Sequence, residues 1–425
     1  MINPAFLKTL PHSSGRISAR RIAIRVKRKA LPRLREGHPW VFEDSIARQS
    51  FDGAPGDVAV VFDPSGKTVL GAGLYDPHSP VRVRLFSRGG AAAPIGVDLF
   101  RELYLRAQAL RAPHLPPETD AWRLIHGDSD SFPGLAADRY ADVLTFKVYS
   151  AALLPWIGDL AEALFSLEPE LKRFCLRLSR ELQRLPSGDR CGLEDGLLSE
   201  DSSVWDGYLR FRENGLLFSA DTKRGQKTGF FLDQRDNRSF TGTLCRGKRV
   251  LNLFSYSGGF SLYAARGGAS EIVSVDFNKH AVEACAENFA LNSGIASVAA
   301  ARHLEIAGDA FEVMEKFRRE GRRFDVVIVD PPSFAKSSAE TENALRSYSR
   351  LARAATALMN AGGILVFASC SSRVAADPLF ERIKQSAEEA GHPLKEFKRS
   401  FHSFDHPAKW EESSYLKCLY GTLLK

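Results

Sequence analysis

The sequence predicts an α/β protein whose second half folds as an open, mostly parallel, Rossmann-like sheet. Three observations carry this expectation. From about Phe218 onward, short apolar runs alternate with helical stretches; the runs at 271–276, 324–330 and 364–369 end in polar residues; and the run at 250–254 leads through a glycine-containing turn into a helix. Strands joined by helices lie parallel and are covered on both faces, so they read as near-continuous apolar runs.

The chain has 425 residues, too many for one ordinary core, so two or three domains are expected. An apolar content of 44% and a charged content of 26% fit a globular protein in water. No stretch approaches the roughly 18 to 20 apolar residues that span a bilayer. The N-terminus lacks the apolar segment and small-residue cleavage site of a secretion signal, so a cytoplasmic protein with no membrane partner is expected. The six cysteines, Cys175, Cys191, Cys245, Cys285, Cys370 and Cys418, form no C-x-x-C pair. That argues against a disulfide framework or a structural zinc site, and no metal is expected.

The net charge of +7 is concentrated at one end. Residues 1–40 hold ten of the 58 Lys and Arg residues (Lys8, Arg16, Arg20, Arg21, Arg25, Lys27, Arg28, Lys29, Arg33, Arg35) against Glu36 alone of the 51 acids. Concentrated positive charge neutralises phosphates and releases counterions, which points to a nucleic-acid partner. A solubilising tail or a transit peptide shares this composition. The alternation Arg21-Ile22-Ala23-Ile24-Arg25-Val26-Lys27 favours a half-buried strand instead.

Further short apolar runs at 58–62, 71–75 and 81–86 are separated by Asp63-Pro64-Ser65-Gly66 and Asp76-Pro77-His78-Ser79-Pro80. They make a small β domain over 20–90, preceded by a basic extension over 1–19. A Gly/Ala/Pro linker at 89–96 leads to a helix over 97–111, with Leu99, Phe100, Leu103, Ala107 and Leu110 on one face. Strand-like runs at 143–148 and 174–178 and a helix over 153–165 complete a central α+β domain over 97–215. The Rossmann-like domain takes 216–425.

Ligands of open α/β sheets sit beyond the carboxyl ends of the strands, near the reversal of strand order. After the first strand comes Ser255-Tyr256-Ser257-Gly258-Gly259-Phe260, where glycines let backbone approach a ligand. The second strand ends in Asp276, a carboxylate placed for ribose hydroxyls. The turn lacks the G-x-G-x-x-G spacing that shields a pyrophosphate, so a cofactor without one fits better, and S-adenosylmethionine (SAM) meets that description. A plain tight turn at Gly258 and Gly259 and a helix cap at Asp276 remain open. Asp309 would follow a third strand, to accept the adenine amino group or to cap a loop.

Val329-Asp330-Pro331-Pro332-Ser333-Phe334 is the sharpest motif. A carboxylate at a strand end, followed by two prolines of fixed φ, makes a rigid lip that can hold a planar amino-heterocycle. Phe334 can stack on an extruded base. The next strand ends in Ser369-Cys370-Ser371-Ser372, with a thiol placed to attack carbon 6 of a pyrimidine and so make carbon 5 nucleophilic. A buried, inert core cysteine is the open alternative.

These residues resemble the PUA-domain-containing 23S rRNA (cytosine-5)-methyltransferases, the class I SAM-dependent group related to bacterial large-subunit methyltransferase I. The resemblance spans nearly everything from Arg21 onward. It includes Gly37-His38-Pro39-Trp40-Val41-Phe42, Gly127-Asp128 with Phe132-Pro133-Gly134-Leu135 and Asp138-Arg139-Tyr140, and the long stretch Gly225-Gln226-Lys227-Thr228-Gly229-Phe230-Phe231-Leu232-Asp233-Gln234-Arg235. Asp405-His406-Pro407 and Tyr415-Leu416-Lys417 match the family's ending. The resemblance implies that the small β domain is PUA-like and binds RNA, 23S rRNA in the family.

It also implies that Asn252, Phe254, Tyr256, Gly258 and Gly259 form the SAM turn, with Asp276 on the ribose and Asp309 on the adenine. Asp330 would hold the target base, with Pro331, Pro332 and Phe334 beside it, and Cys370 would be the covalent catalyst. Lys227 and Arg235 belong to a segment that closes over cofactor or substrate, or are only surface cations. The extension before Arg20 and residues 179–189 depart from the family pattern. Methylation of a guanine or adenine nitrogen, an RNA-binding assembly factor with a vestigial pocket, and a nicotinamide-dependent oxidoreductase are the rival readings. A monomer and a homodimer are both open.

Overall fold

The computed structural model describes residues 2–90, 94–199, 205–335 and 337–424; Ala91 to Ala93 of the expected linker lie outside them. The chain divides into two compact units. The first holds Met1–Gly215, Ala220–Leu232 and Phe404–Trp410, and the second holds Leu216–Ser219, Asp233–Ser403 and Glu411–Lys425.

The first unit opens with β1 (Ile22–Val26), β2 (Trp40–Phe42), β3 (Ile46–Gln49), β4 (Val58–Phe62), β5 (Val69–Tyr75) and β6 (Val81–Arg88). They form one PUA-like sheet in the order β2-β6-β5-β4-β1-β3. The alternation read in β1 is present: Ile22, Ile24 and Val26 are buried with Val41, Val61 and Val83, while Ala23 and Arg25 face solvent. Every cation from Arg20 to Arg35 in the basic stretch is exposed.

The basic extension is not a free tail. Ile2 and Leu10 are buried in the core of the central region, Ser13 N donates to Asp159 Oδ2 at 2.7 Å, and Gly158 N donates to Pro11 O at 2.7 Å. Apolar residues interleaved with the cations therefore dock it, which overturns the reading as a solubilising or transit segment.

That core lies between the helices Val97–Arg111 and Ile157–Leu167 and a second sheet. The sheet contains β7 (Ala121–His126), β8 (Leu135–Tyr140), β9 (Val143–Val148), β10 (Arg173–Leu178) and β11 (Gly196–Leu197), in the order β11-β10-β9-β8-β7. One helical-face assignment needs correction. Leu110 is 61% exposed and Arg111 is buried in its stead. The Arg111 guanidinium pairs with Asp130 at 2.5 Å and donates to Arg123 O at 2.6 Å, so this ion pair, rather than an apolar contact, sets the last turn.

After β12 (Tyr208–Glu213) and β13 (Leu216–Asp221), the second unit carries β14 (Arg249–Leu253), β15 (Glu271–Asp276), β16 (Arg302–Ala307), β17 (Phe324–Val329), β18 (Met359–Ser369), β19 (Leu394–Ser400) and β20 (Lys417–Leu423). These seven strands run in the order β16-β15-β14-β17-β18-β20-β19. The first five are parallel, and β20 is antiparallel to both neighbours. Strand order reverses between β14 and β17, so a ligand crevice is expected at their carboxyl ends. The register aligns those ends: Leu253 is opposite Val329, Val329 opposite Phe367, and Ser369 opposite Lys417.

Candidate active site

The chain leaves β14 through a strained turn. Phe254 (φ 59°), Tyr256 (φ 46°) and Gly258 (φ 79°) all take left-handed backbone before the helix Gly259–Arg266 begins. The glycines answer to packing. A Cβ on Gly258 would sit 2.2 Å from Cys285 Sγ, and one on Gly259 would sit 2.8 Å from Arg238 Cδ. The protein's own side chains thus already require glycine at both positions.

Three buried oxygens of this turn have no hydrogen-bond partner: Asn252 Oδ1, Ser255 Oγ and Ser257 Oγ. Asn252 Nδ2 donates to Ser261 Oγ at 2.9 Å, which fixes the amide and leaves its oxygen unspent. Buried polar groups without partners are rare and costly, and a polar ligand satisfies them. SAM, with its amino acid and ribose groups, fits such a wall.

Asp276 ends β15, with Oδ2 accepting from Tyr256 N at 2.8 Å and Oδ1 from Asn278 N at 2.8 Å. It joins the two strand tips, and each oxygen keeps a lone pair for a ligand hydroxyl. Asp309 caps the helix Ala310–Arg319 through Oδ1, which accepts from Phe311 N at 2.9 Å and Glu312 N at 3.1 Å. Phe277, directly after Asp276, is 83% exposed; its signal in the sequence is a bulky aromatic beside the acidic strand end.

Beyond β17, Gln234 Nε2 donates to Asp330 Oδ2 at 3.0 Å, and Gln234 Oε1 in turn accepts from Asn237 Nδ2 at 2.6 Å. Pro331 is buried and Pro332 exposed. Phe334 packs against Tyr348, with ring centres 5.0 Å apart, so part of its surface is already used. Cys370 is partly exposed just past β18. Burial pushes the Tyr348 phenol up to about 12, partly offset by its bond to Ser369, and the charges of Cys370 and Asp330 raise it further. Tyr348 therefore stays neutral and lies within electrostatic reach of both. Four of the other cysteines, Cys175, Cys245, Cys285 and Cys418, are buried, and desolvation pushes each thiol up to about 12.

Asn252, Phe254, Tyr256, Gly258, Gly259, Asp276, Asp309, Asp330, Pro331, Pro332, Phe334 and Cys370 thus all follow or end strands of one sheet. Lys227 belongs to the first unit and is half-buried, with its ammonium 4.8 Å from the centre of the Phe231 ring. Arg235 belongs to the second unit and is fully buried. A guanidinium without accessible surface is not a surface cation. Among the described residues, no group of three or more His, Cys, Asp or Glu is placed to hold a metal, and no helix is long and apolar enough to cross a membrane.

A sheet of this order, with a polar-walled turn at its switch point, defines a class I SAM-dependent methyltransferase. The family model for S-adenosylmethionine-dependent methyltransferases matches residues 192–406, and that for PUA-like domains matches 24–88. A ribosomal RNA large subunit methyltransferase of Deinococcus radiodurans is 41% identical, over 95% of this chain and 98% of that one. The ribosomal RNA large subunit methyltransferase I of Shewanella denitrificans is 34% identical, over 94% of this chain and 99% of that one. The crystal structure of SMU.776 complexed with SAH has the same fold (TM-score 0.77, 23% identity, 94% of this chain and 99% of that one). The chain belongs to the ribosomal RNA large subunit methyltransferase I family, and SAM is its cofactor.

Proposed function

We propose that this protein methylates carbon 5 of a cytosine in large-subunit (23S) rRNA, in the cytoplasm, through a covalent adduct with Cys370. The observation that carries this reading is the meeting of a held carboxylate, Asp330, and a partly exposed thiol, Cys370, at adjoining strand tips around one neutral tyrosine. The names of the relatives supply the RNA class.

The PUA-like domain, taken as 20–90, docks RNA by its phosphates, using exposed Arg25 and Arg48 around a groove of about 440 Å³ that also includes Phe62. The central domain, 97–215, helps select the site, and 216–425 carries the chemistry. Asn252, Phe254, Tyr256, Gly258 and Gly259 hold SAM at the turn, Asp276 takes the ribose, and Asp309 takes the adenine with the oxygen its helix cap leaves over. Lys227 contributes to the substrate side, and Arg235 anchors the segment that carries Gln234.

A single-stranded or flipped cytosine enters beside Pro331, Pro332 and Phe334. Asp330 accepts a hydrogen bond from its exocyclic amine and so fixes the ring beside the thiol. The Cys370 thiolate forms a bond to carbon 6, and the displaced electron pair makes carbon 5 nucleophilic. When bound, SAM supplies the methyl group that carbon 5 takes. A base then removes the carbon-5 proton, the ring double bond re-forms, and the bond from sulfur to carbon 6 breaks.

Nucleoside analysis of rRNA from cells with and without the gene tests the reading. Loss of one 5-methylcytosine is expected; loss of a methylated guanine or adenine would favour the base-nitrogen alternative, and no change would favour an assembly factor.

A further inference from the structure

β20 begins at Lys417, opposite Ser369 and thus one residue from Cys370. Its side chain is only 4% exposed, yet it ends in an amine. Nζ donates to Ser371 O at 2.5 Å and to Val374 O, two carbonyls of the loop that carries Cys370. Burial pulls the ammonium down to about 8, and the one charge acting the other way is the Cys370 sulfur. At neutral pH the amine therefore still carries its proton. Among the described residues no carboxylate pairs with it; burying an ammonium so is strongly unfavourable, and two neutral carbonyls do not need a full charge. A thiolate does.

We propose that Lys417 is a positioning residue for the covalent step: its ammonium fixes the 370–374 loop from beneath and supplies the positive charge that favours the Cys370 thiolate. This rests on Cys370 being the nucleophile. The thiol proton passes to solvent and the ammonium keeps all of its own. Groups on two neighbouring elements feel the charge of the sulfur: Tyr348, on the helix Thr341–Thr356, which is neutral and also feels Asp330, and Lys417, on β20, which is positive.

The test is the pH profile of Cys370 alkylation by iodoacetamide, read by mass spectrometry of its peptide in the full-length protein. Lys417→Gln keeps a donor for the carbonyls and removes the charge, Lys417→Arg keeps both, and Lys417→Met removes both. The midpoint is expected to rise by about one unit in Lys417→Gln and Lys417→Met, with labelling at pH 7 slowed about tenfold, and to stay near wild type in Lys417→Arg. An unmoved midpoint in folded Lys417→Gln would overturn the proposal; should Lys417→Met not fold, the Gln and Arg variants decide. Retained 5-methylcytosine in Cys370→Ala would overturn the nucleophile itself, which is a separate readout on RNA.

Discussion

The carboxylate of Asp330 is held by the side chain of Gln234, 96 positions earlier in the chain, through one hydrogen bond of 3.0 Å. Gln234 is buried and braced by Asn237, so it has one orientation to offer. The segment before the helix Arg235–Thr243 thus sets the aim of the carboxylate proposed above to meet the base.

It follows that Gln234→Ala lowers kcat about 10- to 100-fold with little change in SAM affinity, because a misaimed catalytic group costs about that much. Single-turnover methylation and calorimetric SAM titration check this. Wild-type kcat in a folded variant would contradict it.

Asn252, next to the last residue of β14, keeps a buried side-chain oxygen without a hydrogen-bond partner. Asn252→Ala is expected to weaken SAM binding about tenfold, since one hydrogen bond to a charged or polar ligand contributes about 1 to 2 kcal/mol. The same variant binding SAM as tightly as wild type would remove this residue from the cofactor wall.

Gly258→Ala faces both a left-handed φ and the Cys285 sulfur. The expected loss is about 2–4 kcal/mol of stability, measured by urea unfolding. Gly258→Ala with Cys285→Ala should recover part of it, because only the clash is relieved.

His303 is stacked on Phe289 at 3.6 Å, and burial pulls it down to about 4 although the Glu305 carboxylate lies 3.1 Å away. The unfolded chain takes up that proton near pH 6.5. Stability from the neutral imidazole is therefore complete above pH 6.5 and is lost as pH falls toward 4. His303→Gln should flatten this fall by on the order of 1–3 kcal/mol between pH 7 and 4.5, as read by denaturant titration. Parallel curves for the two proteins would contradict it.

What the sequence disclosed and what it hid divide along physical lines. Buried parallel strands must be apolar and their carboxyl ends polar, so β14, β15, β17 and β18 and the residues after them, Asp276, Asp330 and Cys370, were legible from pattern. The alternation of β1 was legible because one face meets water. β19 and β20 were not anticipated: β19 mixes Lys395, Glu396, Lys398 and Arg399 into its run, and β20 opens on Lys417 after an irregular stretch. Roles that depend on contacts between distant segments were equally hidden. Gln234 on Asp330 and Lys417 under the Cys370 loop exist only once the sheet has formed, and Leu110 lost its expected place to an ion pair that joins Arg111 to Asp130.

The most direct test of the covalent route uses RNA containing 5-fluorocytosine in place of cytosine, incubated with protein and SAM. Fluorine at carbon 5 blocks the final proton removal, so a denaturation-resistant protein–RNA complex is expected, with the linkage mapping to Cys370 and lost in Cys370→Ala. Normal methylation of cytosine RNA together with no trapped complex, or a complex that persists in Cys370→Ala, would contradict the account.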